Sequence, residues 1–201
     1  MRLVGLTGGI AAGKSLVAKR LKELGIPLID ADEVARLVVS PGSSGLAEIV
    51  DAFGTQFVTA DGALDRGALG ALVFSDDQAR RQLEAITHPR IQTYIQDWAT
   101  EQKARGASLA IVDAALMFET GSASNYDAVI VVHAPDDIRR DRLMERDQLS
   151  AQQAQSRIDS QLDQKEKIRR ATYVIDNGGS VFETNRQVDA VIRRLQDTIQ
   201  S

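Results

Sequence analysis

The sequence predicts an α/β fold in which a parallel five-stranded sheet is covered by helices on both faces, and three observations lead there. Five runs have strand length and near-continuous apolar character: Arg2–Thr7, Ile26–Asp30, Leu109–Asp113, Ala128–His133 and Tyr173–Asp176. Such runs suit strands buried on both sides. Segments with helical periodicity alternate with them, as right-handed βαβ units require. A glycine-rich turn joins the first run to the first helix.

In chain order, the first run enters the turn Gly8–Ser15, and Lys14–Leu24 follows as a helix with Val17, Leu21 and Leu24 on one stripe. After Ile26–Asp30, the stretch from Val34 to about Arg90 holds no convincing core strand. Its turn at Thr59-Ala60-Asp61-Gly62 and its helical stretches read as an inserted helical subdomain. His88 precedes a predicted helix Arg90–Arg105 carrying Ile91, Ile95 and Trp98, with Pro89 fitting the first helical position. From Asp136 to Arg170 the chain is again strandless and dense in arginine, with acidic residues nearly balancing Arg139, Arg140, Arg142, Arg146, Arg157, Arg169 and Arg170. Taken alone, this is a solvated helical hairpin with ion pairs along its faces. The last helix, Val181–Ile199, repeats apolar residues at Val188, Val191, Ile192, Leu195 and Ile199.

With 201 residues, the chain suits one embellished domain. Its 43% hydrophobic and 26% charged residues exclude disorder, and the absence of cysteine excludes disulfides, thiolate catalysis, zinc fingers and iron–sulfur clusters. A formal charge of −4 argues against a protein that coats nucleic acid. The apolar stretches Leu3–Ala12 and Leu109–Phe118 fall far short of the ~20 residues of a membrane span. A cytoplasmic protein is expected.

Gly8-Gly9-Ile10-Ala11-Ala12-Gly13-Lys14-Ser15 matches G-x-x-x-x-G-K-[ST], directly after a strand and directly opening a helix. Glycines let the backbone wrap so that N–H groups point at phosphates, and the helix N-terminus adds its positive dipole end. Gly9 to Leu16 would form the cradle, Lys14 would charge-pair with the β- and γ-phosphates of ATP, and the Ser15 hydroxyl would ligate Mg²⁺. No N-K-x-D guanine-reading tetrapeptide occurs, and the chain is too short for a large motor or helicase ATPase. A small-molecule kinase remains. Its fold would be a three-layer P-loop kinase core with a helical acceptor-binding insertion and a helical lid.

On the acceptor side, Asp30-Ala31-Asp32 ends the second predicted strand, where ligands of open α/β sheets sit. Asp32 could accept a hydroxyl proton or bind the metal's water shell; capping a helix is the other role open to this pair. Asp113, ending the third strand, resembles a Mg²⁺-steadying Walker-B acid, though strand-end turns also favour aspartate. His88 and His133 are given no proton chemistry on spacing alone.

Several further motifs, taken in order, resemble the dephospho-CoA kinase family along nearly the whole chain. They are Gly5-Leu6-Thr7-Gly8-Gly9-Ile10 with Gly13-Lys14-Ser15, Asp30-Ala31-Asp32, Asp61 to Arg66, Ile86-Thr87-His88-Pro89, Leu116-Met117-Phe118-Glu119, Arg142 to Arg146 and Arg157 to Gln161. The resemblance implies a core over 1–33, 106–135 and 171–201, a CoA-binding insertion over about 34–90 continuing into helix 90–105, and a lid over about 136–170. It implies transfer of the ATP γ-phosphoryl group to the ribose 3′-hydroxyl of dephospho-CoA. Asp32, Lys14 and Arg142 would be catalytic, Arg66 and His88 would line the acceptor side, and Ser15 and Asp113 would serve Mg²⁺. The implied partners are ATP and dephospho-CoA, with no nucleic acid or membrane, in a monomer or small homo-oligomer.

The chain departs from the family pattern in places. Ala11-Ala12 stands where Gly-Ser is usual, Leu16 where Thr is usual, and Ala115 where Pro is usual. Arg139 replaces a common Gln, and Thr172 a common Asp. Two alternatives stay open from the sequence. One is a P-loop kinase with another nucleotide or small-metabolite acceptor; the other is a regulatory module that binds nucleotide without turnover.

Overall fold

The structure, a computed structural model, describes residues 1–200, and side chains through residue 197. Ile199, predicted to extend the last helical stripe, has its side chain outside the described residues. The chain divides into two compact units, Met1–Asp30 with Glu101–Ser201, and the contiguous Ala31–Thr100.

In the first unit the strands are β1 (Arg2–Gly8), β2 (Leu28–Asp30), β3 (Leu109–Asp113), β4 (Ala128–His133) and β5 (Tyr173–Asp176). They form one parallel sheet in the order β2-β3-β1-β4-β5. Alternation along β4 explains the unbroken apolar runs. Ala128, Ile130 and Val132 join Val4, Leu6 and Ile111 on one face, whereas Val129 and Val131 pack with Met117 and Phe118 on the other. The first face is covered by α1 (Lys14–Glu23), through Val17 and Leu21, and by α9 (Val181–Gln200), through Val188, Val191, Ile192 and Leu195. Burying these side chains from water is the main stabilisation of the unit.

β2 is shorter than the predicted Ile26–Asp30. Pro27 has no N–H to give a ladder, though its carbonyl still accepts from Ile111 N at 2.8 Å. Between β4 and β5 the expected hairpin is instead three helices: α6 (Asp136–Asp147), α7 (Ala151–Asp159) and α8 (Gln164–Arg170). Gln148 stops α6 in the left-handed region, Ser150 and Gln153 form a capping box on α7, and Asp163 caps α8 by accepting from Lys165 N at 2.7 Å. Solvated ion pairs do line the outside, as at Arg157–Asp147 (2.7 Å). Arg139, by contrast, is buried.

The second unit is helical, with α2 (Ala31–Leu37), α3 (Ser44–Phe53), α4 (Arg66–Ser75) and most of α5 (Asp77–Ala104). Its core is Val39, Ile49, Leu69 and Ile86. Within it, the only strand-like feature among the described residues is a single bridge between Val58 and Leu64, flanking the predicted turn. The helix expected at Arg90–Arg105 begins at Asp77 and passes through Pro89, so Pro89 is interior and His88 lies within the helix. Around this interruption the carbonyls of Leu83 and Ile86 take side-chain donors, Thr87 Oγ1 at 2.9 Å and Arg90 Nη1 at 2.7 Å. The carbonyl that loses its helical donor to Pro89 is that of Ala85, four residues back, so these contacts flank the break.

Candidate active site

At the carboxyl edge of the sheet, β1 runs into a tight turn. Ala12 N donates to Gly9 O at 3.0 Å, and Leu16 N to Gly13 O at 3.0 Å as α1 begins. Gly13 sits at φ 89°, where a side chain is strained, and a Cβ there would meet the Asn177 amide at 1.8 Å. Ala11 occupies the same left-handed region at φ 58° without glycine's freedom.

The turn is gripped from the segment after β4. Ile10 N donates to Gln161 Oε1 at 2.7 Å, and Ile10 O accepts from Arg139 Nε at 3.0 Å. Ala11 O accepts from Arg142 Nη1 at 3.4 Å, and Ala12 O from Asn177 Nδ2 at 2.8 Å. Ile10 and Ala11 also pack on Leu143, Ala154 and Ile158, the apolar faces of α6 and α7. A Cβ on Gly9 would lie 2.7 Å from both Arg139 Nη2 and Gln164 Oε1, so that glycine admits the arginine to the loop. Burial pushes the Arg139 guanidinium below its ordinary pKa, opposed by Asp136 at 3.0 Å.

Lys14, the first residue of α1, directs its ammonium to the carboxylate of Asp113 at the end of β3. Asp113 is 5% exposed, and Asp30 stands beside it in register on β2. Ser15, second in α1, is exposed. In the same unit, Lys167 Nζ of α8 is fully buried 2.7 Å from Glu119 Oε1, a charge pair without a well-directed hydrogen bond. Beside it Arg170 lies 4.7 Å from the Phe118 ring centroid.

Of the residues expected at the site, the structure brings together Gly9 to Leu16, Arg142 and Asp113. Asp32, Arg66 and His88 belong to the Ala31–Thr100 unit. Asp32 is exposed in the first turn of α2, immediately after β2. Arg66 opens α4 and donates to Arg36 O on α2, the helix carrying Asp32, at 3.2 Å. Burial, with the Arg36 charge adding to it, holds the Arg66 guanidinium below its ordinary pKa. His88 is exposed on α5.

Sequence reasoning assigns no role to Asn177, Gln161 or the buried Arg139. A signal existed for Asn177, a polar residue one step past a strand's carboxyl end, the zone where α/β ligands bind. Gln161 stood inside a motif whose chemistry the spacing alone did not explain.

A sequence model of the dephospho-CoA kinase family matches residues 2–183. The dephospho-CoA kinase of Anaeromyxobacter dehalogenans is 48% identical over 196 residues, spanning 98% of this chain and 93% of its own. That of Moorella thermoacetica is 46% identical over 197 residues, spanning 98% and 93%. Among solved structures, the dephospho-CoA kinase of Campylobacter jejuni matches at TM-score 0.73 and 30% identity over 98% of both chains. A Thermus thermophilus protein matches at TM-score 0.81 and 33% identity over 96% of this chain and 97% of its own. Shikimate kinase from Acinetobacter baumannii, at 14% identity, shares the fold alone, with a TM-score of 0.53 over 98% of this chain and 94% of its own. With whole-chain likeness in sequence and architecture joined to a glycine turn, a lysine and a strand-end aspartate in kinase arrangement, the chain belongs to the dephospho-CoA kinase family.

Proposed function

We propose that the protein phosphorylates the ribose 3′-hydroxyl of dephospho-CoA with ATP, yielding coenzyme A and ADP in the cytoplasm, the final step of CoA biosynthesis. The observation that carries this reading is the family match over residues 2–183 together with the Gly9–Ser15 turn, whose backbone and Lys14 meet at one strand end.

In this mechanism the turn's N–H groups and the α1 N-terminus receive the phosphates. Lys14 exchanges its Asp113 partner for phosphate oxygens, and Arg142, already against the turn, neutralises charge on the transferred group. The acceptor hydroxyl attacks the γ-phosphorus as the bridging bond to ADP breaks, and its proton passes to the Asp32 carboxylate. Arg66 and His88 hold the acceptor. The helices α6 to α8 serve as the lid that excludes water.

The donors suit Mg²⁺ carried in with the nucleotide. No group of three or more His, Asp or Glu capable of caging a metal exists among the described residues, while the exposed Ser15 hydroxyl and the Asp113 carboxylate could complete a shell begun by phosphates. Bound there, the ion would neutralise charge between the β- and γ-phosphates.

The test is ADP release from Mg²⁺–ATP with and without dephospho-CoA, with the acceptor's mass measured. A gain of one phosphoryl group that depends on dephospho-CoA supports the proposal. Release only with another acceptor would move the substrate. Asp32→Asn should lower kcat by ~10²-fold or more while ATP still binds, and unchanged turnover would remove Asp32 from the chemistry.

A further inference from the structure

One residue touches both the phosphate-cradle turn and the arginine beside it. Asn177 follows β5 and is 3% exposed. Its N–H donates to His133 O at 2.7 Å, which anchors it to the end of β4. Its Nδ2 donates to Ala12 O at 2.8 Å, and its own carbonyl accepts from Arg142 Nη2 at 2.9 Å. Thr184 on α9, itself fully buried, donates Oγ1–H to Asn177 Oδ1 at 3.0 Å.

The amide can face only one way. A carbonyl oxygen opposite the side chain accepts but cannot donate, so the NH₂ group must face Ala12 O and the oxygen must face Thr184. The Ala12 carbonyl and the Gly13 N–H belong to one planar trans peptide and point in opposite directions. Holding that carbonyl therefore aims the Gly13 N–H away from Asn177. Gly13 is the glycine on which the asparagine amide rests, where no Cβ could fit. The same residue restrains Arg142 through a main-chain carbonyl that no side-chain substitution removes.

We infer that Asn177, oriented by Thr184, is a positioning residue for ATP: it sets the plane of the Ala12–Gly13 peptide, and so the aim of a phosphate-binding N–H, while tethering Arg142. The inference rests on the reading of Gly9–Ser15 as the phosphate cradle. It adds a residue distant in sequence, with no ligand contact of its own assumed.

Asn177→Asp keeps the shape and replaces the donor with an acceptor facing the Ala12 carbonyl. It also adds a negative charge that itself repels phosphate, so the uncharged Thr184→Val is the deciding variant. Measured by calorimetry with ADP alone, and by steady-state kinetics, Asn177→Asp should raise the ADP Kd and the ATP KM by about tenfold, roughly what one charge-assisted hydrogen bond is worth. The KM for dephospho-CoA should stay within about twofold, a split that general loosening of the fold would not produce. Thr184→Val should shift the ADP Kd in the same direction, and Thr184→Ser should restore it. If Asn177→Asp does not fold, the Thr184 pair decides. Wild-type ADP affinity in folded Asn177→Asp or Thr184→Val would overturn the role of Asn177 alone. An equal rise in both substrates' KM would also overturn it. Failure of the wild-type protein to bind ADP would overturn the cradle reading and this inference with it.

Discussion

The Lys14 ammonium and the Asp113 carboxylate hold each other across the carboxyl ends of two neighbouring strands, one leading into α1 and the other at the end of β3. The pairing keeps a lysine poised at the glycine turn and compensates a carboxylate with little access to water. It also makes the two residues unequal in mutation. Lys14→Met should cut kcat/KM by ~10²-fold or more and takes from Asp113 the ammonium it faces. Asp113→Asn should keep ADP binding within a few-fold. Calorimetry with ADP separates them, and equal loss in both variants would contradict the assignment of Lys14 to the phosphates.

Ala11 holds a left-handed backbone at φ 58° that glycine adopts freely. Ala11→Gly removes about 1 kcal/mol of steric cost, partly offset by the greater freedom of an unfolded glycine. A urea titration should show stability equal to wild type or higher by up to about 1 kcal/mol. A clear loss would mean that packing of the Ala11 methyl against the α6–α7 faces outweighs the strain.

Lys167 is completely buried against Glu119. Glu119→Gln should strand that charge and destabilise the fold by about 3–5 kcal/mol. Glu119→Leu combined with Lys167→Met removes both charges and should recover most of the loss. Denaturant midpoints for the single and double variants check this, and additive losses would show that the pair is uncoupled.

Asp189 accepts both arms of the Arg20 fork, Nε and Nη2 each at 2.9 Å, joining α9 to α1. The hydrogen bonds from Arg20 hold the carboxylate below its ordinary pKa of 3.8. A depressed folded pKa contributes stability that is present above the unfolded value and is lost as pH falls through the folded one. Stability measured from pH 6 downward should therefore drop below about pH 4 less steeply in Asp189→Asn than in wild type. Identical acid limbs would show that the fork contributes nothing.

The central strands were legible because both their faces are buried: Ala128–His133 can be unbroken apolar sequence only where alternate residues enter different cores. The glycine turn was legible because its chemistry is local in sequence. Pro89 misled, because proline suits a first helical turn, whereas here the helix has already run from Asp77 and continues through it. Arg139 misled for a related reason. Its surroundings in sequence read as a solvated helix, whereas a glycine at residue 9 opens the space that takes its guanidinium out of water. Asn177 and Ala12 meet only through the fold, so no local pattern announced their contact.

The sheet order also has a consequence for how the chain is made. β1 leaves the ribosome first but pairs with β3 and β4, both encoded after the whole contiguous Ala31–Thr100 unit, and α9 covers the same face last. During synthesis the helical unit can gather its own core while the first strand and its glycine turn wait without the strands they pair with. Nucleotide can therefore act as a folding ligand only late, once β4, β5 and Asn177 have arrived. A nascent chain stalled before residue 177 should gain no protease resistance from ATP, although its glycine turn was completed more than a hundred and fifty residues earlier.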